Sequence, residues 1–549
     1  MTSGARRPSL RFPALPHLRL DPGCVVSYCP IASSIGARVL HGGGNAVDAA
    51  VSTALALAVT YPQAGNIGGG GLMLIHDAGK VHCLDYRERA PARVTPELYD
   101  DEGSDTAKSA LGALSVAVPG TIAGLAEAHA KHGRKPWREI VELVVPLAER
   151  GVWLTTRQSS TMRLYSQSLQ RFESTRRYYM GEDGEVLPPG TLFMQQDLAH
   201  SLRLIAEHGP GAFYEGEIAD KIVAQMAKSG GVLAHDDLAS YRPIWREPLC
   251  RRYQDHDVYL PGLPSAGGLV ASFALGCATA TDIASMRYGS PQWVLTWARI
   301  FRAAYNFANQ QSGDPDHIPP DELAATLAMA SRDLTATELE QLESVLLPTE
   351  PVIGDAAAAV RPSTTHFSII DRDGMAVSNT YSVNTLFGSK LAVDGAGFLL
   401  NNTIADFRIA AGPNWYGLLQ GERNRLAPHR RPASSMTPTI VTRNGQIVMV
   451  IGGSGGPRIP SAIAQVTSSV FGSGLSLSES VRRPRVHHQV FPDDVVLEKG
   501  FPKRTVERLN KEGYKISVVN ALGMVAAIRR RLDDNEISAV LDQRFGDFW

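Results

Sequence analysis

The chain is short of cysteine, with only Cys24, Cys29, Cys83, Cys250 and Cys277 among 549 residues. The number is odd and no pair has C-x-x-C spacing, so neither a disulfide framework nor a zinc ribbon is indicated. Net charge is also lacking: the formal value of -1 provides no field to gather nucleic acid or anionic lipid. Long apolar runs are missing as well. The best candidate, "AVDAAVSTALALAVT" from Ala46, falls short of the roughly 20 residues a bilayer span needs and carries Asp48 and Thr53, which makes it a core helix. The lead "MTSGARRPSLRFPALPHLRLDPG" has Arg6, Arg7 and Arg11, but prolines interrupt it before any signal-peptide core. These absences predict a cytoplasmic protein whose partners are small molecules, with no nucleic acid and no membrane. Hydrophobic residues at 44% and charged residues at 20% are ordinary for a globular chain with a sizeable core.

What is present has a clear order. "IASSIGARVLHGGGNAVDAAVSTALALAVT" reads as helix, glycine turn and helix, with Asn45 at the N-cap and Asp48 in the positive first turn. Leu72 to His76 and Lys80 to Tyr86 read as strands around Asp-Ala-Gly. From about 136 to 330 the pattern is mostly helical, including "WREIVELVVPLAERG" and "GLVASFALGCATATDI". Residues 324–363 end in small residues and prolines, the composition of a linker. Beyond it "THFSIID" and "MAVSNTYSV" flank Asp-Arg-Asp-Gly, and "PTIVTRN" and "QIVMVIG" flank Asn-Gly, which predicts two hairpins.

Most chemical motifs fail on spacing. There is no G-x-x-x-x-G-K-[ST], and no G-x-G-x-x-G joins a strand to a helix, so a nucleotide site is not indicated. Asp371 opens a hairpin turn rather than a calcium loop, lacking the spaced third acid and final Glu. His487 and His488 are adjacent and would face opposite sides of a strand, a poor geometry for one metal. Gly452 to Gly456 matches G-x-S-x-G around Ser454, but Pro457 and Pro460 stand where the helix of a nucleophile elbow should begin. Its amides suit another nucleophile better. The hydroxyl run Ser363, Thr364, Thr365 offers one. Cleavage between Ser363 and Thr364 would leave an N-terminal threonine, whose α-amine, with an ordinary pKa of about 7.7 to 8.0, can take the proton of its own hydroxyl.

The blocks "GGNAVDAAV", "GGGGLMLI", "DYRERAP", "VPGTIAGL", "TTHFSIID", "LLNNTIADF", "RPASSMTPTIV" and "GGSGGPRI", in that order, resemble the γ-glutamyltranspeptidase (glutathione hydrolase) family of N-terminal nucleophile hydrolases. The resemblance implies an α+β fold, a four-layer αββα sandwich. It implies a precursor cut before Thr364 into a large chain of 1–363 and a small chain of 364–549, together one catalytic unit. It implies Thr364 as nucleophile with Ser382 as its hydroxyl partner, and Gly455 and Gly456 as the oxyanion hole. Arg87, Ser434 and Ser435 would hold the donor's α-carboxylate, Asn384, Thr403 and Asp406 its α-amine, and Tyr416 would cover it. No cofactor and no metal are expected; the partners would be a glutathione-like γ-glutamyl donor and a water or amine acceptor. Thr403 and Ala405 stand where the family usually has more polar residues. Two other readings therefore stay open: an acylase of the same family acting on a glutaryl or oxamate-like amide, and an unprocessed paralogue that only binds ligand.

Overall fold

The computed structural model describes residues 23–99, 108–335, 337–338, 363–410 and 412–544. The hairpin at its centre pairs Thr364–Asp371 with Ala376–Ser382, antiparallel, with Ser382 opposite Thr364 and Thr380 opposite His366. Asp371 sets the turn: Oδ1 accepts the amides of Asp373 at 3.0 Å and Met375 at 2.9 Å, while Oδ2 accepts the amide of Ala46 at 2.9 Å. One carboxylate thus ties the hairpin to the first turn of the helix Ala46–Thr60. That helix is capped as its sequence predicts, with Asn45 and Asp48 in a reciprocal capping box.

Six antiparallel strands form the first sheet, in the order Gly23–Ser27, Thr364–Asp371, Ala376–Ser382, Gly70–Asp77, Lys80–Tyr86, Ile244–Arg246. The second sheet, also antiparallel, runs Ile537–Leu541, Met524–Arg530, Gln446–Ser454, Thr439–Arg443, His256–Leu260, Leu249–Tyr253. Helices Pro30–His41, Ala46–Thr60 and Thr121–His132 cover the first sheet. Ala266–Ala280, Arg458–Phe471 and Leu477–Arg482 cover the second, and the two sheets pack face to face. The architecture is the expected αββα sandwich.

The seam between the sheets is partly polar. His366 Nδ1 lies 2.8 Å from Thr380 Oγ1 and Nε2 lies 3.0 Å from Ser368 Oγ. Ser368 and Ser378 donate across to the carbonyls of Ala526 and Ile451. Burial depresses the His366 pKa to about 3, so the ring is neutral. It fits because the facing residue is Gly452, where a Cβ would come within 2.2 Å of His366 Cε1.

Three expectations are corrected. The helical middle contains strands Ile244–Arg246, Leu249–Tyr253 and His256–Leu260, and "WREIVELVVPLAERG" breaks into Trp137–Glu142 and Val145–Arg150, with Pro146 in the second helix's first turn. The first part of the expected linker is the end of a helix, Pro320–Ser331, with Pro at its first position, Asp321 and Glu322 in its first turn, and alanines after them; the rest of 324–363, apart from 332–335, 337–338 and Ser363, lies outside the described residues, as does the Pro-rich lead before Gly23. The prolines after Gly456 do not prevent a helix: Arg458–Phe471 begins there with Pro457 as N-cap and Pro460 in the first turn, where amides have no intrahelical acceptor. No helix among the described residues is long and apolar enough to cross a membrane.

Replacing Asp371 by Ala removes three bonds to a buried carboxylate and should cost about 3 kcal/mol or more. Its unfolding midpoint in denaturant should fall well below that of the parent; an unchanged midpoint would show that the turn is held by something else.

Candidate active site

The register of the central hairpin places two hydroxyls together at one end of the sheet. Thr364 Oγ1 donates to Ser382 Oγ at 3.4 Å. Ser382 Oγ also accepts the amide of Asn384 at 2.8 Å, and its single proton faces the carbonyls of Ser363 at 3.2 Å and Asn384 at 3.3 Å. Ser363 and Thr364 are both buried. Asn384 turns the chain at φ +77, and its side chain is fixed at both ends: Nδ2 donates to Asn402 O at 3.0 Å and Oδ1 accepts from Tyr416 Oη at 2.6 Å.

The glycine turn comes from the second sheet. After the strand Gln446–Ser454 the chain passes through Gly455 at φ +132 and Gly456 at φ +57 before the helix Arg458–Phe471 begins. Positive φ at both positions is backbone that L side chains rarely adopt and glycine adopts readily, so the turn takes two glycines. Tyr305 donates to the carbonyl of Pro457 and pins the turn from the helix Pro291–Gln311. Gly456 lines the same cavity as Thr364 and Ser382; Ser454 and Gly455 do not.

Charge sits on the other wall. Arg87, one residue past the strand Lys80–Tyr86, is 1% exposed, and its guanidinium lies between Glu88 Oε2 at 2.9 Å and Asp406 Oδ2. Burial works against that charge, but Glu88 and Asp406 outweigh it and keep Arg87 protonated. Asp406 ends the short turn Thr403–Asp406; burial raises its pKa to about 6, against the lowering by Arg87. Arg87 Nε and Asp406 Oδ1 are buried atoms without a hydrogen-bond partner. An uncompensated polar atom in such a place is costly, so both favour a ligand that supplies one acceptor and one donor.

Ser434 and Ser435 complete the wall. Ser434 is held by its own backbone, donating to Pro264 O at 2.9 Å and accepting from the amide of Gly267 at 3.0 Å. Together Arg87, Thr364, Ser382, Asn384, Asp406, Tyr416, Ser434, Ser435 and Gly456 line one cavity of about 30 Å³, room for about a single water. Thr403, like Gly455, is an expected residue that does not line it: the Thr403 Oγ1 donates to Glu88 Oε1 at 2.9 Å, so it reaches Arg87 only through that carboxylate. Sequence reading missed Asn414, Gln420 and the buried Asn424. Asn424 donates to Asp406 O at 2.8 Å and accepts the amide of Ala433 at 2.8 Å, bracing both walls. Their nearness to "GPNWYG" and "RPASS" was the available signal. His487 and His488 do not face the cavity; they bond Ser461 and Asp493 respectively.

A family model described as Gamma-glutamyltranspeptidase matches residues 32–547. The chain belongs to that family. It is 36% identical over 535 residues to a glutathione hydrolase proenzyme of Escherichia coli, covering 96% of this chain and 92% of the relative. A Pseudomonas aeruginosa glutathione hydrolase proenzyme is also 36% identical, over 96% of this chain and 94% of its own length. Among solved structures, a cephalosporin acylase from Bacillus halodurans superposes with a TM-score of 0.83 at 25% identity, covering 99% of this chain and 98% of its own. A γ-glutamyltranspeptidase from Helicobacter pylori aligns with a TM-score of 0.54 at 33% identity, over 60% of this chain and 93% of its own. Both the γ-glutamyltranspeptidase and the acylase branches of this architecture are thus represented among the similar proteins.

Proposed function

We propose that this γ-glutamyltranspeptidase-family chain is a precursor that cuts itself before Thr364 and then hydrolyses or transfers γ-glutamyl groups from glutathione-like donors. The observation that carries the reading is the pairing of two hydroxyls, Thr364 and Ser382, with a wall of opposite charges, Arg87 and Asp406, across one small cavity. An amino acid's α-carboxylate and α-amine complement those charges, and the unpartnered Arg87 Nε and Asp406 Oδ1 have room in their bonding for them.

In the cleavage step Thr364 Oγ1 adds to the Ser363 carbonyl carbon, while Ser382 Oγ, 3.2 Å from that carbonyl oxygen, donates to it. The C–N bond breaks as the amide nitrogen takes up a proton, leaving an ester that water hydrolyses to a Ser363 carboxylate and a free Thr364 amine. The burial of Ser363 and Thr364 favours an internal reaction over an external protease. In turnover the freed amine accepts the Oγ1 proton, Oγ1 attacks the γ-amide, and the amides of Gly455 and Gly456 stabilise the oxyanion. Such donors lower a barrier by about 3 to 4 kcal/mol. The leaving amine takes the proton, and water or a second amine releases the glutamyl group. A glutamyl group exceeds a cavity of about 30 Å³, so its entry requires groups of the lining to move.

A second reading, an acylase for a glutaryl-like amide, is favoured by Thr403 being engaged with Glu88 and by the lack of polar atoms on Ala405. The two separate on one comparison. γ-Glutamyl 4-nitroanilide should exceed glutaryl 4-nitroanilide in kcat/KM by about tenfold or more, because the latter has no ammonium to donate to Asp406 Oδ1; equal rates would favour the acylase.

Purified wild-type protein should run as two bands on a denaturing gel, and the Thr364→Ala variant as one band of 59.2 kDa. An intact wild-type chain with full activity would overturn the cleavage.

Asp406 must be ionised to hold an α-amine, and its pKa is raised to about 6. Hence the ratio of kcat/KM for the γ-glutamyl to the glutaryl substrate, from which protonation of the Thr364 amine cancels, should fall as pH drops through about 6, while Asp406→Asn should have a low ratio without that acid limb. A limb that persists in Asp406→Asn would assign it elsewhere.

A further inference from the structure

The loop that follows Ser382 is bent in an unusual way. Within seven positions Asn384, Phe387 and Lys390 all have positive φ, at +77, +64 and +61, with Gly388 at +53 between them. For Phe and Lys that backbone is uncommon and persists only where surrounding contacts impose it. The contacts converge on one buried ammonium. Lys390 Nζ donates to Thr385 Oγ1 at 2.7 Å and to Gly388 O at 2.7 Å, both within the same loop. Thr385 Oγ1 also accepts from Asn402 Nδ2 at 2.9 Å, and the Thr385 amide donates to Asn402 Oδ1 at 3.0 Å. Asn402 O in turn accepts from Asn384 Nδ2.

Lys390 is only 7% exposed, and among the described residues no carboxylate offsets its burial. Tyr165 is the titratable group that faces it, the ammonium lying 5.6 Å from the ring centroid. On the neighbouring helix Glu173–Tyr179, Thr175 holds the Lys390 carbonyl through a 2.7 Å bond from its Oγ1. Burial with no opposite charge lowers the Lys390 pKa to about 7. A long side chain buried at such a cost, with its donors spent on its own loop, is poorly explained by packing. The bonds it makes lead, through Thr385 and Asn402, to Asn384, a residue that lines the cavity.

We propose that Lys390 is a positioning residue for donor selection: through Thr385 and Asn402 it holds the 384–390 loop so that Asn384 presents its amide to the donor's α-amine. This rests on the γ-glutamyl reading of the cavity. Lys390 touches neither Thr364 nor Ser382 and takes no part in bond breaking. Its loss should therefore weaken recognition of the amine and leave the acyl chemistry alone.

The test uses processed, full-length enzyme with γ-glutamyl and glutaryl 4-nitroanilides. Lys390→Met should lower kcat/KM for the γ-glutamyl substrate about tenfold, through KM, the size expected for one misplaced hydrogen bond, while the glutaryl rate is unchanged. Thr385→Val should behave alike, and Thr385→Ser, which keeps the hydroxyl, should behave as wild type. The proposal is overturned if Lys390→Met keeps the wild-type ratio of the two substrates, if it lowers both rates equally, or if both Lys390→Met and Thr385→Val remain uncut, since the loop would then serve cleavage rather than selection. A wild-type ratio near one removes the γ-glutamyl reading itself, and so is told apart from a failure confined to the variants.

Discussion

The register of one hairpin governs this molecule. Side chains on a strand alternate faces, so a slip of one residue between Thr364–Asp371 and Ala376–Ser382 would turn every hydroxyl of the polar seam and part Thr364 from Ser382. Asp371 holds that register from the far end of the strand. Its carboxylate bonds to two amides of the turn and to the first amide of the helix Ala46–Thr60, so the hairpin, its turn and the covering helix form one unit. The turn read from Asp-Arg-Asp-Gly is thus also the anchor of the Thr364–Ser382 pairing seven residues away.

The charged wall shows the opposite economy. Arg87, Glu88 and Asp406 are buried together, and removing a charge from water is expensive unless partners restore the interaction. They restore it only in part, since Arg87 Nε and Asp406 Oδ1 stay unbonded. A core built for stability alone would be better served by apolar residues of the same volume. The incomplete pairing leaves one buried donor and one buried acceptor open on that wall, and Thr403, bonded to Glu88, stabilises the cluster from behind.

How much of this the sequence disclosed depended on whether local pattern and tertiary role agreed. The capped helix Ala46–Thr60 and both hairpins were legible because caps, turn residues and alternation act locally. The strand Leu249–Tyr253 was not, because its inward positions are Leu249, Arg251 and Tyr253: an arginine on the buried face hides the period. Arg251 is there to donate to the carbonyls of Ser331 and Arg332, at the end of the very helix that was read as linker. Both misreadings share one cause, a long-range bond that neither segment reveals alone. In the site, the resemblance supplied Arg87, Asp406 and Tyr416, while the bracing Asn424 and the clamping Lys390 escaped because their partners lie in other segments or in a bent loop without a motif.

The glycine turn and the hairpin come from different sheets, yet they must meet within a few ångströms of one hydroxyl. The sandwich arranges this through the seam. Gly452 leaves room for His366, which lets the strand Gln446–Ser454 pack close against Thr364–Asp371, and two residues beyond Ser454 the chain reaches Gly456 beside Thr364. A bulkier residue at 452 would push the sheets apart and withdraw Gly456 from Thr364 even with every group lining the cavity unchanged. The separation of the sheets therefore fixes how near Gly456 stands to Thr364, and it is set by a histidine kept neutral by burial and by the absence of a single methyl group opposite it.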